Sequence, residues 1–159
     1  MSIAFVNGGL AILAGYWEQH GEEVEGGARV ELRRVHEVAS ARTVPGTAGF
    51  TVEPLSSGGL WRADLFVVLT DGGRPCFHHH PRFEDDDVGQ RAFEDRLTAD
   101  PRAWIADRLA DLPGLLEASG AQDLLASIDL EEHARNLSVM LTVIDAALGR
   151  ATLALTRYR

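Results

Sequence analysis

Between positions 60 and 70 the chain alternates with a period of two. Trp61, Ala63, Leu65, Val67 and Leu69 occupy one phase, and Arg62, Asp64, Phe66, Val68 and Thr70 the other. That period sends successive side chains to opposite sides of a strand, giving one unbroken apolar face and one partly charged face. Any fold for this chain must therefore bury one side of an extended ribbon. Asp71-Gly72-Gly73 follows, and glycine supplies the positive φ of a tight hairpin. The returning strand, 74–80, contains Pro75, which lacks an amide donor and predicts an edge position. Pro81 keeps His80 extended and ends the strand.

The rest of the first eighty residues reads in the same manner. Glycine pairs at Gly8-Gly9, Gly26-Gly27, Gly58-Gly59 and Gly72-Gly73 separate apolar runs and predict turns. Strands are expected at 3–6, 28–38, 48–55, 60–70 and 74–80, while 10–19 fits a strand or a short helix. After Glu84-Asp85-Asp86-Asp87 the signals become helical. Asp87 and Gln90 have capping-box spacing for a helix through about Leu97. Asp100-Pro101 opens a second, with Trp104, Ile105, Leu109 and Leu112 as its buried stripe and Pro113-Gly114 as its end. A short segment, 115–119, stops at Gly120. Asp129 and Glu132 cap a last helix, where Leu130, Ala134, Leu137, Leu141, Ile144 and Leu148 recur at helical spacing before Gly149. Weak alternation over 151–156 suggests a final strand. The expected fold is one α+β domain over 1–159. An antiparallel sheet or partly open barrel from the N-terminal half packs with three to four helices from the C-terminal half.

Composition narrows the function. The 159 residues are 45% hydrophobic and 25% charged, as in a soluble globular domain. The apolar run 10–17 is broken by Gly15 and is too short to cross a bilayer. All 15 basic residues are arginine, the pattern of GC-rich bacterial coding. Without lysine there is no Schiff-base amine, no pyridoxal phosphate anchor and no P-loop or kinase lysine. Twenty-four acids against fifteen arginines give a net charge of −9. That balance argues against nucleic acid and anionic membranes and favours a neutral or cationic small molecule or another protein as partner. Cys76 is the sole cysteine, so an intramolecular disulfide, a CxxC pair, a four-cysteine zinc site and an iron–sulfur cluster are excluded. The first six residues lack a basic n-region, and a cytoplasmic location is expected.

His78-His79-His80 is the feature richest in chemistry. With a three-residue loop at 71–73, Asp64 would oppose His80 and Phe66 would oppose His78. Arg62, Asp64, His78 and His80 would then share the polar face, while Phe77 and His79 join the apolar one. A two-residue loop would slip the register by one and break this convergence. Two imidazoles and a carboxylate suit non-haem iron as a facial triad, or zinc with water in the fourth position. Glu84, four residues after His80, is an alternative oxygen ligand, and Arg62 or Arg82 would orient an anionic group of a substrate. Without a metal, Asp64 would orient His80 as a general base. The competing reading is a hydrogen-bonded edge strand with no ligand role. His36 reaches the site only if its strand neighbours the hairpin. His20 is expected in a loop, His133 on a helix face, and Cys76 as a small buried hydrophobe.

Gly72, His78, His80 and Glu84 have spacings that resemble the first metal-binding motif of the cupins, over thirteen residues. The motif's closing glycine comes early, at Gly89, and no second motif follows. What the resemblance implies is a metal-binding His-x-His strand rather than membership. Two function classes follow. One is a small enzyme acting on a metabolite through this His/Asp pocket, with or without divalent iron or zinc. The other is a noncatalytic binding or interaction module, such as a homodimer formed through the terminal helix or an edge strand.

Overall fold

The computed structural model describes residues 2–37, 42–43, 50–51 and 56–158. Its main sheet has five antiparallel strands in the order β1 (Ser2–Asn7), β2 (Leu10–His20), β3 (Val24–Glu37), β6 (Ser56–Val68) and β7 (Arg74–His80). A separate two-stranded pair joins β4 (Arg42–Thr43) and β5 (Phe50–Thr51). The sheet is open, so the barrel alternative does not hold. The undecided segment 10–19 is strand β2, because Leu10, Ile12 and Ala14 alternate into the core. Of the expected strand 48–55, only Phe50-Thr51 falls among the described residues, and residue 38 lies outside them.

Gly8-Gly9 and Gly72-Gly73 are turns, as expected, but Gly26-Gly27 and Gly58-Gly59 lie inside β3 and β6. Close approach is the reason. A Cβ on Gly27 would sit 2.1 Å from the Leu65 carbonyl oxygen, and one on Gly59 would sit 1.9 Å from the Phe83 ring.

The hairpin loop is longer than the sequence suggested. Leu69, itself buried, opens a 3-10 turn (Leu69–Asp71) before Gly72 and Gly73, so Val68, not Thr70, opposes Arg74. Register therefore moves by two positions, with Asp64 opposite His78 and Arg62 opposite His80. An even shift preserves the faces. Both sets of side chains stay on the sides expected for them.

Four helices cover one face of the sheet: α1 (Asp95–Ala99), α2 (Pro101–Ala110), α3 (Leu112–Ala118) and α4 (Leu130–Ala154). Asp100 Oδ1 accepts from the Ala103 amide and Asp129 Oδ1 from the Glu132 amide, each at 2.9 Å, as their spacing predicted. Three expectations fail for local reasons. Asp87 accepts from the Gly89 amide in a tight turn, so the first helix begins only at Asp95. Asp111 accepts from the Gly114 amide, so Pro113-Gly114 starts α3 instead of ending α2. Helix α4 continues past Gly149 to Ala154 and a 3-10 turn (Leu155–Arg157), where a strand was expected.

The core joins Leu10, Val30, Leu32 and Leu65 of the sheet to Ile105 and Leu109 of α2, with Trp61 and Trp104 stacked at 6.1 Å between ring centroids. In α4 the buried residues are His133, Met140, Ile144, Ala147, Ala151 and Ala154. Of the expected stripe, Ile144 is buried, Leu137, Leu141 and Leu148 flank the core, and Leu130 and Ala134 are exposed. Small alanines let the helix lie close across β2 and β3. By length and composition alone, Leu130–Arg157 is long and apolar enough to cross a bilayer.

Candidate metal centre

The face of the sheet away from the helices is charged, and its charges alternate in rows. One cross-strand row runs Arg29, Asp64, His78 over β3, β6 and β7, and the next runs Glu31, Arg62, His80. Opposite charges therefore meet across the β3–β6 pair, while across β6–β7 Asp64 faces one imidazole and Arg62 the other. Arg29 Nε donates to Asp64 Oδ1 at 2.6 Å, and Arg62 Nε stands 3.5 Å from Asp64 Oδ2. Arg33 pairs with Glu31, and Arg62 Nη1 lies 3.8 Å from the same carboxylate. Asp64, His78 and His80 are 3%, 2% and 4% exposed, so the triad is enclosed by protein.

Residues 81–94 help to enclose it. The chain reverses after Pro81 through the 84–87 turn and returns beside β7, where His79 and Ala92 exchange backbone hydrogen bonds of 2.9 and 2.8 Å. Phe93 lies 5.6 Å from the His78 ring, and the Arg62 guanidinium sits 5.6 Å over Phe83. Behind β7, His79 Nε2 meets Glu94 Oε1 at 2.9 Å, and Glu94 Oε2 accepts from Trp104 Nε1 at 2.9 Å. Burial lowers the His79 pKa, and the Glu94 charge opposes that shift.

Three donor atoms converge in this enclosure. Asp64 Oδ2 lies 3.5 Å from His78 Nε2 and 3.6 Å from His80 Nε2, and the three ligand atoms lie within 4.8 Å of one another. Donors about 2.1 Å from a tetrahedral ion stand about 3.4 Å apart, so two of these separations match a shared cation. His78 Nδ1 lies 3.0 Å from the Cys76 carbonyl. A carbonyl can only accept, so Nδ1 carries a proton and donates it. In the neutral ring Nε2 then presents a lone pair to the Asp64 carboxylate. A metal ion between these two acceptors, or a proton on either the ring or the carboxyl, turns their contact into an attractive one. Burial first, then the neighbouring Arg62 charge, lowers the His80 pKa, which keeps that imidazole neutral and able to ligate near pH 7.

Four of the expected site residues thus come together: Arg62, Asp64, His78 and His80. Glu84 does not. It is exposed on the 84–87 turn, outside the ligand group, because the tight reversal after Pro81 points the chain away. Arg82 is likewise exposed and lies beside Gly120. His36 is exposed near Gly58 at the far end of β3, and His20 is exposed beside Glu18. His133, expected on a helix face, is buried, with Nε2 2.6 Å from the Leu109 carbonyl. Burial raises the Cys76 pKa to about 11, which leaves it a protonated, unreactive thiol.

Arg29, Glu31 and Arg33 escaped the sequence reading, although their own alternation along β3 is visible. What the sequence lacked was the knowledge that β3 lies beside β6. No protein-family model, curated protein or solved structure matches this chain.

Proposed function

We propose that this protein is a small metal-dependent enzyme in which Asp64, His78 and His80 hold one divalent cation of the zinc or non-haem iron class. The observation that carries this reading is the orientation of the two Nε2 atoms toward Asp64 Oδ2, with the Cys76 carbonyl fixing the His78 tautomer. Three protein ligands leave room at the ion for water or substrate, and a bound ion would supply Lewis-acid activation there. Arg62 Nε is buried without a hydrogen-bond partner among the described residues. It stands 3.5 Å from Asp64 Oδ2 and would hold an anionic group of a small metabolite, with Arg29 keeping Asp64 in position.

The test is metal content of tag-free protein purified from a defined medium. About one equivalent of zinc or iron is expected, and it should be lost in both His78→Ala and His80→Ala. Stoichiometric metal that survives both substitutions would overturn the ligand assignment. A metal-free version is favoured by one further observation: Arg29 and Arg62 already compensate the Asp64 charge. In that version Asp64 orients His80 as a general base. Nitrogen-15 shifts of the histidine rings separate the two, because a protonated His78 or His80 shows no metal-ligated nitrogen.

A further inference from the structure

Strand β1 forms the sheet margin opposite β7, and among the described residues nothing pairs with its free edge. Its sequence, Ser-Ile-Ala-Phe-Val-Asn, contains no charge and no proline, and its register with β2 has no bulge. Those are the devices by which sheet margins usually avoid unwanted pairing. The other margin has them: β7 carries Arg74 and Pro75, and Ala92 occupies part of its edge.

Helix α4 presents an apolar stripe beside this open edge. Ile3 of β1 is 39% exposed, and Val139 and Leu153 of α4 are 52% and 71% exposed. Two cavities follow one another along the seam between strand and helix. One, of about 200 Å³, lies among Phe5, Val6, Asn136 and Met140; the other, of about 190 Å³, lies among Ile3, Val143, Ala146 and Ala147. Charge flanks the seam asymmetrically. Glu131 and Glu132 stand at the start of α4, with Arg135 3.8 Å from Glu131, while Arg150 and Arg157 stand near and just past its end.

The geometry points to a homodimer in which β1 pairs antiparallel with β1 of a second copy and the α4 stripes meet above the joined sheets. A two-fold axis normal to the sheet reverses every direction in its plane, so the α4 helices also run antiparallel. The acidic start of each then faces the basic end of the other. In a chain of net charge −9, β1 carries no charge and the cavity beside Ile3 is lined by the cationic Arg150, so two copies repel little along this seam. Side chains from one copy would fill the cavities of the other. Nothing in this assembly depends on the metal centre, which lies at the opposite margin.

Sedimentation velocity of the full chain at roughly 10 µM tests the proposal. A dimer is expected, lost in Ile3→Glu and in Val139→Glu but kept in Phe93→Ser, a more exposed apolar site near β7. Deuterium exchange of wild-type protein gives a second readout that needs no variant. The β1 amides should be protected at high concentration and lose protection on dilution. A monomer at every concentration, a dimer indifferent to both glutamates, or β1 exchange independent of concentration would overturn it. So would flotation of monomer with phosphatidylcholine–phosphatidylglycerol vesicles, which would assign the stripe to a membrane.

Discussion

Asp64 is the residue on which the charged face turns. One carboxylate meets Arg29 through Oδ1 and faces Arg62 and both imidazoles through Oδ2, at 4% side-chain exposure. Removing the charge while keeping the shape leaves the largely buried Arg29 guanidinium without its carboxylate and Arg62 with only Glu31, at 3.8 Å. Asp64→Asn is therefore expected to lower the unfolding free energy by about 3–5 kcal/mol, measured in urea, even in metal-free protein. A loss under about 1 kcal/mol would show that the arginines are adequately solvated without it. Glu94 plays a comparable part behind β7. Glu94→Ala would strip the partners from Trp104 Nε1 and His79 Nε2 at an expected cost of about 1–3 kcal/mol. At this scale the sequence was informative about parity. Alternation put Arg62, Asp64, His78 and His80 on one side, and no loop of odd length could have disturbed that. It was silent on Arg29, because which strand lies beside β6 is a property of topology and not of period.

At the scale of elements, side-chain caps were readable and glycines were ambiguous. Asp100 and Asp129 announce helix starts through a local bond to an amide three residues on, which spacing alone reveals. Asp129→Ala should cost roughly 1 kcal/mol, seen as a modest fall in thermal midpoint. Asp87 has the same spacing yet serves a turn, because Gly89 offers a nearer amide. Gly27 shows the other difficulty. A glycine that permits a turn and one that permits strand contact look alike in a sequence, and the 2.1 Å approach of Leu65 exists only after folding. Gly27→Ala presses a methyl group onto backbone that cannot rotate away. A cost of about 1–3 kcal/mol is expected, and an unchanged midpoint would show that β3 and β6 can separate locally.

For the whole molecule, the division between an extended first half and a helical second half was legible, and so was the α+β outcome. The buried face of α4 was not. A leucine stripe at heptad-like spacing suggests a seam, but the helix rests on the sheet through Met140, Ile144 and small alanines and leaves part of its leucine face outside. Packing against a flat sheet rewards close approach, which side-chain hydrophobicity alone does not measure.

Trp61 and Trp104 both approach His79, at 6.4 and 5.1 Å between ring centroids, and His79 sits between His78 and His80 on β7. Trp17 lies under the guanidinium of Arg29, which grips Asp64. Every indole in the chain is therefore within one residue of the triad's scaffold, and the protein carries its own optical indicator. Titrating zinc into stripped protein should change the ultraviolet emission and level off near one equivalent, while His80→Ala should leave the signal flat.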